Sequence, residues 1–187
     1  MNKTVIIIPS RLDAERLPSK PLELINNKEM ILHVYEAAKK TKSEVYVATP
    51  DQKIVKIVNQ NKGKAFLTST NHQTGTDRVY EVFKSHLNSE PNLIVNLQGD
   101  MPNIDPQDIS DLINYMHQGN CDIGTLASSF SSDEELADEN NVKVAVKGQL
   151  IAGKFSEAID FFRVDKKKHE NYYHHVGIYA FTNKALV

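Results

Sequence analysis

An alternation of two patterns constrains this chain more than any other feature. Short β-branched or apolar runs take turns with segments whose apolar residues recur at helical spacing. Residues 5–8 are an unbroken run of Val and Ile, the pattern of a strand buried on both faces. Met30, Ile31, Val34, Ala37 and Ala38 then share one side of a helix. Residues 45–48 read as a second strand, and Ile54, Val55 and Val58 mark a second helix. Ala65–Leu67 is a third, short strand, followed by a helix marked by Val79, Val82, Phe83 and Leu87. "NLIVNLQ" gives a fourth strand ending in "GDMP", and the segment after Pro106 places Ile109, Leu112, Ile113 and Met116 on one helical side. The order β-α-β-α-β-α-β-α predicts an α/β fold, a mostly parallel central sheet with helices on both faces. Such sheets bind ligands beyond the carboxyl ends of their strands. The loop within residues 6–22 and the "LQGDMP" turn are therefore expected to face one crevice.

From about residue 122 the pattern becomes β-rich. "DIGTLASSF", "VKVAVK" and "LIAGKF" read as close-spaced strands, the last two joined by Gly148-Gln149 in a hairpin, and "HHVGIYAF" adds another. The acidic stretch 133–141 reads as a solvated helix or loop. At 187 residues the chain is expected to be a single domain with a substantial core. Its last residues, "TNKALV", read as the first turn of a helix with no stop signal, so a chain truncated relative to a longer parent domain is expected.

Composition narrows the partners. With 25% charged residues and a net charge of −2, the chain has no basic character for nucleic acid, so any cationic site must be local. Its one cysteine, Cys121, excludes an internal disulfide framework and suits a reducing compartment. Residues 5–8 are too short for a signal-peptide core or a membrane span. A cytoplasmic protein without nucleic-acid or membrane partners is expected.

Against that background, "IIIPSRLDAERLPSKPL" puts Arg11, Arg16 and Lys20 into the loop after the first strand. They read either as solvent-facing charges or as side chains that hold a polyphosphate. The chain has no glycine-rich phosphate cradle in which backbone N–H groups would do that task. Asp100 follows the fourth strand directly, with Gly99 permitting a close approach and Pro102 ending the segment. It reads either as a Mg²⁺ ligand, since that ion takes one or two carboxylates beside phosphates and water, or as a cap for the next turn or helix. In "HQTGTDR", Gly75 suggests a turn, Thr76 or Asp77 a cap, and Arg78 a cation in the first helical turn. A cation there opposes the helix dipole, so an anion nearby would account for it; an exposed helix start with a salt bridge is the other reading. His169, His174 and His175 lack metal-ligand spacing, and Lys166, Lys167 and Lys168 would repel a cation. A surface position is expected for the first two, while His175 could bond a polar ligand from the start of its strand.

In their order, "IIIPSRLDAERLPSKPL", "VATPD", "HQTGTDR", "VNLQGDMP", "VKVAV" and "HHVGIYAF" closely resemble the 3-deoxy-manno-octulosonate (Kdo) cytidylyltransferases, the CMP-Kdo synthetases. The resemblance runs over the whole chain. It implies a glycosyltransferase-A-like nucleotidyltransferase fold and a Mg²⁺-dependent reaction in which CTP and Kdo give CMP-Kdo and pyrophosphate for lipopolysaccharide biosynthesis. By position in the family, Pro9, Arg11, Arg16, Lys20, Gly75, Arg78 and Gln98 belong to the nucleotide, with Lys20 nearest the α-phosphate. Gln98, His175 and Tyr179 belong to the sugar, and Asp100 to the metal. Lys20, Arg11 and Asp100 are the catalytic candidates. Residues 1–120 would form the nucleotide part and 121–187 an incomplete sugar-binding and dimerisation part, in a homodimer.

The chain departs from the family at Met101 of "QGDMP", in the absence of the proline that follows the family's "FSR", and in two further respects. The late "VDTPEDL"-like aspartate of the family's metal site has no counterpart here, and the family's "FSR" reads Phe155-Ser156-Glu157. An anion replacing a cation near a sugar carboxylate costs binding. Three expectations follow: a CTP-Mg²⁺ binder weak toward Kdo, a cytidylyltransferase for a related sugar acid such as an amino-Kdo, or a non-catalytic nucleotide-binding homologue.

Overall fold

Strand β1 (Thr4–Pro9) is the buried centre of a parallel run of strands, with Val5, Ile6, Ile7 and Ile8 fully inaccessible to solvent. The computed structural model describes residues 3–13, 18–119, 121–164 and 169–187. A small hairpin, β2 (Leu24–Ile25) and β3 (Lys28–Glu29), leads into helix α1 (Met30–Lys40). Then come β4 (Glu44–Thr49), α2 (Gln52–Gln60), β5 (Ala65–Leu67), α3 (Gly75–Ser85), β6 (Leu93–Leu97) and α4 (Pro106–His117). The second half adds β7 (Ile123–Ser128), α5 (Asp133–Ala137), β8 (Lys143–Val146), β9 (Ala158–Phe162), β10 (Tyr172–Thr182) and α6 (Asn183–Leu186). Among the described residues no helix is long and apolar enough to cross a membrane.

The chain forms two compact units, Met1–Gly124 with Ile178–Val187, and Thr125–Gly177. In the first, β1 pairs in parallel with β4 and β6, and β4 in parallel with β5. The Ile178–Thr182 part of β10 runs antiparallel to β6. Alternation along β1 sends Val5 and Ile7 into a core with Val79, Val82 and Phe83 of α3, and Ile6 and Ile8 to the opposite face. Residues Ile31, Val34 and Ala38 of α1 are fully buried, as are Ile54 and Val58 of α2 and Ile109 of α4, so each helix docks by the stripe its spacing defines. Because β1, β4, β5 and β6 are parallel, their carboxyl ends share one edge, as the alternation predicted.

The second unit holds the antiparallel pairs β8–β9 and β8 with Tyr172–His174 of β10. One sequence expectation fails here. "LIAGKF" is not a strand: Gly153 takes φ +73°, Lys154 N–H donates to the Ile151 carbonyl at 3.0 Å, and Ile151 and Phe155 are exposed. The partner of β8 is Ala158–Phe162 instead, and residues 147–157 form the connection rather than the dipeptide Gly148-Gln149. Ile151 and Phe155 are apolar without being buried, so the apolar content of 150–155 does not make a strand. The acidic stretch contains the short helix α5, which buries no residue.

Candidate active site

The carboxyl ends of β1, β5 and β6 open onto a cleft of about 250 Å³. At the end of β1, Ser10 N–H donates to the Ala48 carbonyl of β4 at 2.9 Å. Leu12 N–H donates to Asp51 Oδ2 at 2.8 Å, and the Leu12 carbonyl accepts from Ser19 N–H at 2.9 Å. Leu12 thus ties the loop at its base and to the start of α2. Arg11 lies just before this tie, and Lys20 just after it, at the head of a 3₁₀ turn, Lys20–Leu22, whose Pro21 is buried. Both cations line the cleft. Arg16 lies outside the described residues.

The turn after β6 comes back to meet this loop. Gly99 makes that approach possible, since a Cβ there would stand 3.0 Å from the Pro9 carbonyl oxygen and 3.3 Å from Ile31 Cδ1. Asp100 follows, and its Oδ2 accepts from Lys20 Nζ at 2.8 Å. The α4 cap is Asp105, whose side chain accepts from Gln107 N–H, so Asp100 does not cap that helix. Gln98 also lines the cleft; its Nε2 donates to Asn96 Oδ1 at 3.2 Å, and Asn96 Nδ2 donates to Thr76 Oγ1 at 3.2 Å.

The third wall is residues 72–75 with Arg78 in the first turn of α3. Thr74, not Thr76 or Asp77, is the N-cap: its Oγ1 accepts from Asp77 N–H at 3.1 Å, and Asp77 Oδ2 accepts from Thr74 N–H at 3.0 Å. This reciprocal pair is a capping box. Bonds from the Thr74 hydroxyl and N–H hold the Asp77 carboxyl below the usual carboxylate range. Gly75 is the first residue of the helix rather than a turn residue, and a Cβ on it would lie 3.2 Å from Pro9 Cγ. Arg78 is buried, with 3% of its surface exposed, which no sequence pattern signalled. Its Nη1 donates to Thr68 Oγ1 and to the Ser69 carbonyl at 2.8 Å. Burial pushes its guanidinium pKa down, the nearby Glu81 carboxylate opposes this, and Arg11 adds to it. The anion expected beside Arg78 is thus partly the protein's own Glu81. Burial alone would push the Glu81 carboxyl up; bonds from the His72 ring and Ser69 N–H outweigh it and hold the carboxyl low.

Pro9, Arg11, Lys20, Gly75, Arg78, Gln98 and Asp100 therefore share one cleft, although up to 91 positions separate them in sequence. Sequence reasoning missed Ser10 and Pro21, which also line it, and the anchoring role of Asp51. His175 belongs to the second unit, where it is 8% exposed, its Nε2 lies 2.9 Å from Thr125 Oγ1, and the Phe161 ring packs edge-on at 5.1 Å. Burial, then the neighbouring His174, lowers its pKa. Tyr179 lies in the first unit, stacked on Phe181 with ring centroids 6.1 Å apart, and burial raises its pKa.

Residues 5–187 match the family model described as cytidylyltransferase. The 3-deoxy-manno-octulosonate cytidylyltransferase of Thermodesulfovibrio yellowstonii is 37% identical over 98% of this chain and 76% of its own length. The chain belongs to the CMP-Kdo synthetase family of cytidylyltransferases. A relative named 8-amino-3,8-dideoxy-manno-octulosonate cytidylyltransferase, from Shewanella pealeana, is 40% identical over 100% of this chain and 77% of its own length. A solved structure of CMP:2-keto-3-deoxy-manno-octonic acid synthetase complexed with CTP superposes with a TM-score of 0.84 at 36% identity, covering 98% of this chain and 76% of that one. The α/β nucleotidyltransferase fold is therefore that of the CMP-Kdo synthetases, shared over 98% of this chain.

Proposed function

We propose that this cytidylyltransferase transfers CMP from CTP to the eight-carbon sugar acid Kdo, releasing pyrophosphate. The observation that carries the reading is the meeting of Arg11, Lys20 and Asp100 at the mouth of one glycine-flanked cleft. Two cations without a backbone phosphate cradle suit a triphosphate held by side chains. Gly75 and Gly99 let two of the walls pack closely against Pro9 at the end of the central strand.

In this reaction the sugar's anomeric hydroxyl oxygen bonds to the α-phosphorus, the bond from that phosphorus to the β-phosphate oxygen breaks, and pyrophosphate leaves. The hydroxyl proton is lost to solvent. The chain's share is positioning and charge stabilisation rather than covalent chemistry. Lys20 would draw the α-phosphate toward the attacking oxygen, and Arg11 would hold the leaving phosphates. Asp100 offers a single hard oxygen ligand beside a polyphosphate site, a donor set that suits Mg²⁺. When bound there, Mg²⁺ would supply further neutralisation of phosphate charge.

A second reading has its own observation. The Shewanella pealeana relative is named for an 8-amino sugar acid. Glu157 of the second unit carries a largely exposed carboxylate, paired only loosely with Lys147 at 3.5 Å. Such a carboxylate could meet a sugar ammonium. Pyrophosphate release measured with CTP and either Kdo or 8-amino-Kdo decides between the two. Faster release with Kdo supports the first reading, faster release with the amino sugar the second, and no CTP-dependent release with either overturns both.

A further inference from the structure

Asp51 stands at the N-cap position of α2, with the extended backbone of a cap (φ −104°, ψ 111°), yet its side chain makes no cap hydrogen bond to that helix. Aspartate is among the residues that best stabilise a helix from that position. Here the carboxylate turns away and accepts from Leu12 N–H at 2.8 Å, 39 positions earlier in the chain. Asp51 itself is firmly held. Its N–H donates at 3.1 Å to Oγ1 of Thr49, a fully buried residue of β4, and its carbonyl accepts from Ile54 N–H at 3.0 Å. A helix that gives its cap to a distant loop exchanges some of its own stability for the position of that loop.

The loop so held carries Arg11. On one side of Arg11 the backbone is fixed by Ser10 N–H, which donates to the Ala48 carbonyl, and on the other by Leu12 N–H on Asp51. Both acceptors lie on β4 or at its exit into α2, so both neighbours of Arg11 are clamped to the same edge. The bond from Ser19 N–H to the Leu12 carbonyl extends the tie to the residue before Lys20. Arg11 and Lys20 line the cleft and Asp51 does not, so Asp51 reaches a ligand through them. A cationic side chain on an unfixed loop loses backbone as well as rotamer freedom when it binds an anion, whereas one on a fixed loop loses rotamer freedom only. The charge of Asp51 also reaches the buried Arg78, where it opposes the effects of burial and of Arg11. By charge alone it would repel a polyphosphate in the cleft. Its charge and its bond to Leu12 thus act on such a ligand in opposite directions, and substitutions can part them.

We propose that Asp51 is a positioning residue of the cleft: through Leu12 N–H it presets the loop that carries Arg11 and Lys20 to receive a polyphosphate. This rests on the reading of the cleft as a triphosphate site. The test is calorimetric titration of the full chain, of Asp51→Asn and of Asp51→Ser with inorganic triphosphate, alongside the melting temperature of each unliganded protein. Asp51→Asn keeps an acceptor for Leu12 N–H and loses the charge, so affinity stays level or rises up to roughly threefold. In Asp51→Ser the hydroxyl is one bond too short to reach Leu12 but is suited to cap α2. Its affinity for triphosphate falls roughly 5- to 10-fold while its melting temperature stays near that of wild type. An Asp51→Ser protein that binds triphosphate as tightly as wild type overturns this inference alone, and so does equal weakening in both variants. A wild-type protein that does not bind triphosphate overturns it together with the triphosphate reading of the cleft.

Discussion

Lys20 Nζ stands 2.8 Å from Asp100 Oδ2, so the cation expected to meet the triphosphate and the carboxylate expected to meet the metal neutralise one another across the cleft mouth. Each keeps further bonding capacity for an incoming ligand, but the pairing offsets the charge it presents to that ligand. With 35% and 54% of the two side chains exposed, the pair is worth at most about 1 kcal/mol. Asp100→Asn should therefore bind pyrophosphate without metal up to roughly fivefold more tightly than wild type, by release of Lys20. The same variant should lose any Mg²⁺ stimulation of CTP binding. Calorimetry with and without Mg²⁺ checks both; weaker metal-free binding in the variant would show that Asp100 does not restrain Lys20.

The capping box at α3 supports a wall of the cleft as well as a helix. Thr74→Ala removes the hydroxyl that accepts from Asp77 N–H and leaves that amide unpaired. A loss of about 1 kcal/mol in unfolding free energy is expected. Denaturant titration measures it, and Thr74→Ser should restore most of the loss.

A methyl group on Gly99 would be tightly confined. Its nearest neighbour would be the Pro9 carbonyl oxygen at 3.0 Å, a backbone atom at the end of the central strand that cannot rotate aside. Gly99→Ala should cost about 1–3 kcal/mol through forced separation of β1 from the turn after β6. Because Ser10 and Asp100 flank that contact, CTP binding should weaken too. An unchanged urea midpoint would show that the turn moves freely.

His175 gives the second unit a pH dependence of known sign. Its pKa in the folded chain is lowered, so the unfolded chain takes up a proton first as pH falls. Stability contributed by the neutral ring is present above its ordinary pKa of about 6.5 and is lost below it. His175→Gln should resemble wild type more closely at pH 5.5 than at pH 7.5 in urea midpoint. A difference between the two proteins that does not vary with pH would remove the buried neutral ring as its source.

The alternation of apolar runs placed β1, β4, β5 and β6 and helices α1 to α4 within a few residues, because each docks through one face and its spacing records which. The tiny hairpin Leu24–Ile25/Lys28–Glu29 left no such record, since two-residue strands have no period. Segment 150–155 departs from its strand-like composition for the converse reason: its Ile151 and Phe155 are exposed, and composition does not report burial. In the cleft, Arg11, Lys20 and Asp100 stood out because charges directly after buried strands are conspicuous. Ser10 did not, because a buried hydroxyl without a partner is defined by what surrounds it. The inward turn of Arg78 was equally hidden, because its partners, Thr68 and Ser69, lie in a loop with no pattern of its own.

Residues 68–75 are sewn to the helix that follows them: Arg78 reaches back to Thr68 and Ser69, Glu81 takes Ser69 N–H and the His72 ring, and Thr74 closes the helix start. This side of the cleft is therefore already ordered before any nucleotide arrives. Its amide hydrogens should exchange with solvent at the pace of α3 rather than of a free loop, and should slow little when CTP binds.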